Sequence, residues 1–133
     1  MIDAVATAIY DIYNADTALK ALVTGGFWFQ EAPEGVSGNY AVYDFDSTGF
    51  DVIMGAADNS IKNNTFIVNV FVQNEDGSSA MSSIIDKIRD LYNWQALAIT
   101  GYDFISSQIS SFNTVIKDNE YWQVTANLEI KFS

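Results

Sequence analysis

The sequence predicts an α+β fold, in which a mostly antiparallel β-sheet of four to five strands carries two helices on one face. Three observations predict it. Residues 121–132 alternate between apolar and polar side chains, which is typical of a strand with one covered face. Residues 66–72 place four apolar side chains on one face and a half-apolar set on the other, which predicts a strand covered on both faces. Residues 79–94 instead repeat apolar side chains every three or four positions, which predicts an amphipathic helix.

The first third of the chain predicts a helical unit followed by two strands. Residues 2–13 have apolar side chains at helical spacing, and Asp16 is placed to cap a second, shorter helix that the glycines at 25–26 end. Residues 27–35 predict an aromatic strand that enters a Pro/Gly turn, and residues 39–46 predict the next strand.

The segment 47–63 predicts a long hairpin loop, because it contains two glycines and several polar residues. A loop of this length inside a compact domain is usually functional or disordered. It also carries an apolar patch made of Phe50, Val52, Ile53 and Met54. Such a patch either folds back on the domain or contacts a partner, and we favour the partner slightly.

The second half of the chain predicts one helix and three strands. Residues 64–73 predict the clearest buried strand, residues 79–94 the helix, and residues 102–117 and 121–132 the last two strands. We find no internal repeat and no linker-like stretch, so we expect residues 1–133 to form a single domain.

Composition excludes several classes of protein. Of the 133 residues, 49% are hydrophobic and 17% charged, which is the opposite of a disordered chain. The chain has no cysteine and no histidine, which removes thiolate metal sites, disulfides and the Ser-His-Asp arrangement. An enzyme would have to use carboxylates, lysine, tyrosine or a bound ion, so we expect no enzymatic activity, although catalysis by two carboxylates stays open.

Charge argues against binding to nucleic acid or to a membrane. The chain has seventeen acidic residues and only six basic ones, which are scattered, so its formal net charge is −11. Affinity for nucleic acid comes mostly from clustered lysines and arginines, and no such cluster is present. No apolar run approaches the roughly 20 residues of a membrane helix, and the amino terminus carries acids where a signal peptide carries bases.

One motif resembles the start of a calcium loop. Asp44, Asp46 and Thr48 occupy alternate positions before Gly49. The twelfth position of that loop would be Gly55 rather than a bidentate glutamate, so a turn after a strand is the better interpretation.

The order of short signatures along the chain resembles the tail completion, or tail terminator, proteins of long-tailed bacteriophages and prophages. The resemblance covers nearly the whole chain, and one departure is Asn39 where the family often has proline before the tyrosine of the second strand. The signatures are ALVTGG (21–26), EAPEG (31–35), GNYAVYDF (38–45), FIVNVFV (66–72) and YWQVTANLEIKF (121–132).

This resemblance implies a structural virion protein of the tail–neck region, present in the host cytoplasm during assembly. Members of the family form a homohexameric ring on the head-proximal end of the tail tube. The ring stops polymerisation of the tube protein and joins the head–tail connector. DNA passes through its channel without specific binding, and no cofactor is involved.

On this reading, the apolar patch contacts a neighbouring subunit or the tube. Its residues are Phe50, Val52, Ile53 and Met54. The nearby acids Asp51 and Asp58 would face the channel.

Other functions stay open at this point. A head–tail adaptor, another neck protein or a tube subunit would share the ring and differ in its partner. An acidic DNA mimic or regulatory binding protein would be a stable monomer or dimer that competes with DNA. A carboxylate hydrolase would need two acids facing each other across a cleft.

Overall fold

The computed structural model describes residues 2–52, 60–73, 77–93, 95–112, 116–117 and 121–133. The helices are α1 (Ile2–Ala15), α2 (Thr17–Leu22) and α3 (Gly77–Tyr92). The strands are β1 (Gly26–Phe29), β2 (Tyr40–Val52), β3 (Ser60–Gln73), β4 (Phe104–Phe112), β5 (Ile116–Lys117) and β6 (Tyr121–Phe132). The predicted α+β class is confirmed.

The strands form one sheet in the order β1-β2-β3-β6-β4, and β5 also pairs with β6. β1 and β2 are parallel, and the other pairs are antiparallel. β3 pairs along the whole of β6, so β4 and β5 share the opposite edge of that strand. β4 and β5 both lie within residues 102–117, where the sequence predicted a single strand.

The prediction of a loop over 47–63 is wrong for residues 47–52 and 60–63, which belong to strands. β2 continues to Val52 and β3 begins at Ser60, with pairs running from Ser47↔Thr65 to Val52↔Ser60. The register shifts between Phe45 and Ser47, and pairing resumes beyond the shift. Cross-strand pairing overrides the weak local preference of these glycine- and asparagine-containing segments. The rest of the expected loop, 53–59, lies outside the described residues.

The core lies between the helices and one face of the sheet. Alternate residues of β3 and β6 are buried there, and the amphipathic stripe of α3 packs on them. The strand residues are Phe66, Val68, Val70, Val72, Val124, Ala126, Leu128, Ile130 and Phe132. The helix residues include Val5, Ile9, Leu19, Met81, Ile84, Ile88 and Tyr92. Both alternation and stripe agree with the predicted periods of two and 3.6 residues.

Two buried tyrosine hydroxyls attach α1 to the rest of the core. Tyr43 on β2 donates a hydrogen bond to the Ala6 carbonyl oxygen at 3.1 Å, and Tyr92 on α3 donates to the Ile9 carbonyl oxygen at 2.7 Å. Burial raises the pKa of Tyr43 to about 12, and it also raises the pKa of Tyr92. The neutral hydroxyl is therefore the form that suits the folded core.

Gly25, just before β1, allows a close contact with the segment that leads into β2. The Gly25 amide donates to the Asn39 carbonyl oxygen at 2.8 Å. A Cβ atom at Gly25 would lie 2.6 Å from the Ser37 carbonyl oxygen, which is too close for any other residue. This close approach brings β1 alongside β2 in parallel register.

Candidate interaction surfaces

The structure places part of the predicted apolar patch at the end of the β2–β3 hairpin. Phe50 pairs with Lys62, Asp51 with Ile61 and Val52 with Ser60 in the backbone ladder. Ile53, Met54 and Asp58 lie outside the described residues. The roles assigned to all six residues therefore stay predictions.

The hairpin extends past the end of its neighbouring strand. β6 ends at Phe132, which pairs with Lys62 of β3. The pairs Asp51↔Ile61 and Val52↔Ser60 lie beyond that point. We call residues 49–52 and 60–63 the hairpin end. Among the described strands, only β2 and β3 form its last two pairs, so the hairpin end is a candidate for contact with another surface.

The face of the sheet opposite the helices carries a polar network. In its middle row, Val42 of β2, Asn69 of β3 and Thr125 of β6 are cross-strand neighbours. The Thr125 hydroxyl donates to Asn69 Oδ1 at 2.7 Å, and the Gln123 amide donates to the same oxygen at 3.3 Å. We call this the open face. Its half-buried amides and hydroxyls suit contact with water or with a polar partner.

The two ends of the open face differ in chemistry. At one end, Tyr40 stacks on Phe71 with ring centroids 4.7 Å apart, and Tyr121 meets Tyr40 edge-on at 5.5 Å. At the other end, Lys131 Nζ lies 3.9 Å from Glu129 Oε1. Sequence reasoning missed the aromatic cluster, because the period of two separates the faces of each strand but does not show which strands are neighbours.

An apolar groove lies beside β1, where α1 passes the edge of the sheet. It has a volume of about 490 Å³ and is lined by Ala6, Thr7 and Tyr10 of α1, residues 27–29 of β1, and Tyr43 of β2. Tyr10 stands at its rim with 41% of its surface exposed. The Trp28 indole N–H donates to the Gly25 carbonyl oxygen at 2.8 Å, which fixes that side chain. No local sequence signal indicates this groove, because it forms between elements that the sequence does not show to be neighbours.

The described residues offer little for catalysis. In the ranges given above, no group of three or more aspartates and glutamates is placed to hold a metal ion. The tyrosines with raised pKa values lie in or against the core, and burial is the main cause in each case. Within the same ranges, no helix combines the length and apolar character needed to cross a membrane.

Comparisons with known proteins show the fold. No protein-family model matches the chain, and no curated protein matches it. A chain of the virion of a native gene transfer agent particle is similar in structure, with a TM-score of 0.74 and 12% sequence identity. The match covers 95% of this chain and 92% of that one. A second solved structure has a TM-score of 0.67 and 15% identity, and the match covers 100% of this chain and 96% of that one.

Proposed function

We propose that this chain is a structural protein of a phage-like virion, and more specifically a tail terminator. The observation that carries the proposal is the fold shared over 95% of the chain with a component of a gene transfer agent virion. The order of signatures in the sequence, which resembles the tail terminator family, supports the finer assignment. The protein then forms a homohexameric ring in the tail–neck region, where it ends the tube and meets the head connector.

The geometry of the sheet is compatible with a ring. Among the described strands the outermost two, β1 and β4, differ in length and direction, so copies placed side by side would contact each other through unlike surfaces without joining their strand ladders. Unlike surfaces repeated around an axis close into a ring when the rotation permits. The hairpin end adds a further surface, because its last two pairs lie beyond the end of β6.

Charge supports a channel that lets DNA pass. The net charge of −11 leaves few cations to neutralise phosphates, so DNA would slide past without being held. We assign Asp51 and Asp58 to the channel wall. We assign Phe50, Val52, Ile53 and Met54 to the contact with a neighbouring subunit or with the tube, because Phe50 and Val52 belong to the hairpin end.

Electron microscopy of the protein mixed with tail tubes from the same particle tests the proposal. We expect rings seated at one end of each tube and tubes of fixed length. Tubes that stay uncapped while the protein binds the head portal would make it a neck adaptor. A stable monomer or dimer that competes with DNA for a basic protein would make it an acidic mimic. Either result would overturn the terminator assignment.

A double variant tests the assignment of the apolar patch. Phe50→Asp plus Ile53→Asp should abolish capping, because two carboxylates would enter an apolar contact. The matched control is Ser82→Asp plus Thr100→Asp, which adds the same charge at exposed positions far along the chain. Capping that survives in the first variant, with circular dichroism showing both variants folded, would remove the apolar patch from the contact.

A further inference from the structure

The outer edge of β1 presents backbone groups that can pair with another strand. In a parallel pair, alternate residues direct their N–H and C=O groups toward the partner strand. The Gln30 amide donates to the Tyr43 carbonyl oxygen at 2.8 Å. The backbone N–H and C=O groups of Trp28 and Gln30 therefore point toward β2. The Phe27 and Phe29 amides therefore point to the other side, where the Phe29 carbonyl oxygen accepts a hydrogen bond from the Glu31 amide at 2.9 Å and the Phe29 N–H points to the outer edge. In the part of the chain that the structure describes, β1 ends the order of strands there.

The opposite edge of the sheet is covered by the chain itself. The Ile109 amide of β4 donates to Asn93 Oδ1 at 3.0 Å. The Ser107 hydroxyl donates to the Gln95 carbonyl oxygen at 2.9 Å and accepts from the Gln95 amide at 3.2 Å. A protein that covers one edge in this way avoids unwanted strand pairing there. The contrast marks the β1 edge as the one available for pairing.

The groove next to this edge can take side chains from an added strand. Its volume of about 490 Å³ lies within the range of roughly 300–1,000 Å³ found for binding clefts. Its walls are aromatic and aliphatic, with Tyr10 exposed at the rim and Phe29 on β1 itself. An extended segment paired with β1 would direct every second side chain toward α1.

The negative charge near the groove favours a partner segment that carries lysine or arginine. α1, β1 and β2 together contain no lysine or arginine, and two of their aspartates adjoin residues of the groove wall: Asp11 follows Tyr10 in α1, and Asp44 follows Tyr43 in β2. Asp11 is close enough to the groove wall that its charge contributes to the raised pKa of Tyr43. An approaching strand with lysine or arginine side chains would be attracted by this field, and an acidic one would be repelled.

We propose that the β1 edge and the adjoining groove bind an extended segment of a partner protein, which alternates apolar side chains with lysine or arginine. Backbone pairing with Phe27 and Phe29 gives the affinity, and the groove and the aspartates give the specificity. A second copy of this chain fits less well, because it carries a net charge of −11 and because Asn93 and Gln95 make hydrogen bonds to its β4 strand. The inference rests on edge, groove and charge, and it holds whether or not the protein caps a tail tube.

Synthetic peptides test the proposal directly. The probe is the seven-residue peptide Lys-Val-Lys-Val-Lys-Val-Lys, blocked at both ends and followed by NMR of the full-length protein. We expect chemical-shift changes at the Phe27 and Phe29 amides. The same peptide with glutamate in place of lysine should bind at least about 10-fold more weakly. A peptide of equal charge with a central proline should also bind about 10-fold more weakly, since proline cannot donate to a strand ladder.

Matched variants locate the site. Thr7→Lys puts a cation into the groove at an exposed helical position, and Ser82→Lys makes the same charge change on α3. We expect Thr7→Lys to weaken binding of the lysine peptide about 10-fold and Ser82→Lys to change it less than about twofold. Asp11→Asn and Asp90→Asn form a second pair, in which only the first should weaken binding.

Several outcomes would overturn the proposal. Equal binding of the proline peptide would mean attraction by net charge alone. Equal affinities across the paired variants, or no binding of the lysine peptide at millimolar concentration, would remove the site. Shifts at Phe27 and Phe29 that depend on protein concentration, and that Thr7→Lys abolishes, would place a second copy of this chain in the groove instead.

Discussion

Val68 and Asn69 are adjacent on β3 and belong to opposite faces of the sheet. Val68 faces the helices and is 2% exposed. Asn69 lies on the open face and accepts hydrogen bonds from Thr125 and Gln123. One step along the strand thus separates a position that water does not reach from one whose polar groups are partly hydrated. The comparison teaches that the covered face carries the stability of the fold, and that the open face can vary for recognition.

The largest expected effect comes from exchanging the chemistry of these two positions. Val68→Asn buries an amide without partners among apolar residues and should lower the free energy of unfolding by about 3–5 kcal/mol. Asn69→Val removes an acceptor from partners that are only half buried, so the change should stay within about 1 kcal/mol. Urea unfolding followed by circular dichroism measures both. Equal losses would contradict the distinction between the faces.

Alkaline pH should weaken the covered face selectively. The folded pKa of Tyr43 is raised to about 12, whereas an unfolded tyrosine titrates near its ordinary value of 10.0. The unfolded chain therefore releases a proton first as the pH rises. The stabilisation is complete below about pH 10 and is lost between about pH 10 and 12, at up to about 1.4 kcal/mol per pH unit for this group.

Tyr43→Phe provides the test of this pH dependence. The variant should lose stability at neutral pH, because the hydrogen bond to Ala6 is gone. Its stability should then fall less steeply above pH 10 than that of the wild type, while the two curves run parallel between pH 7 and 9. Identical slopes above pH 10 would show that Tyr43 does not control alkaline unfolding.

The smallest expected effect is at the charged end of the open face. Lys131 and Glu129 side chains are 35% and 37% exposed, and their nearest charged atoms lie 3.9 Å apart. Removing such a pair with Lys131→Gln should change the free energy of unfolding by no more than about 0.5 kcal/mol. Thermal unfolding at low and high salt measures it. A loss above 1 kcal/mol would mean that the open face contributes more stability than its exposure indicates.

Local patterns predicted the elements whose periodicity is complete. The stripe of α3 and the alternation of β6 depend on side chains that are neighbours in the sequence, so a single chain was enough to assign them. The hairpin end was expected to be loop because Gly49 and Asn63 disfavour strands individually, whereas their pairing across the ladder depends on the partner strand.

The sequence did not predict which strands lie next to one another in the sheet. Nothing in residues 27–29 shows that they lie parallel to β2, or that α1 passes beside them. The groove therefore had no sequence signal. The predicted apolar patch was assigned from composition alone, and only its Phe50 and Val52 fall on a described strand.

The position of β6 has a consequence for when this protein can fold. β6 lies between β3 and β4, although it is made after both. The two halves of the sheet thus stay separate until residues 121–132 have left the ribosome. The Tyr92–Ile9 hydrogen bond spans 83 residues in the same way. Non-local pairing of this kind slows folding, so the sheet is completed in a late step that follows synthesis of β6.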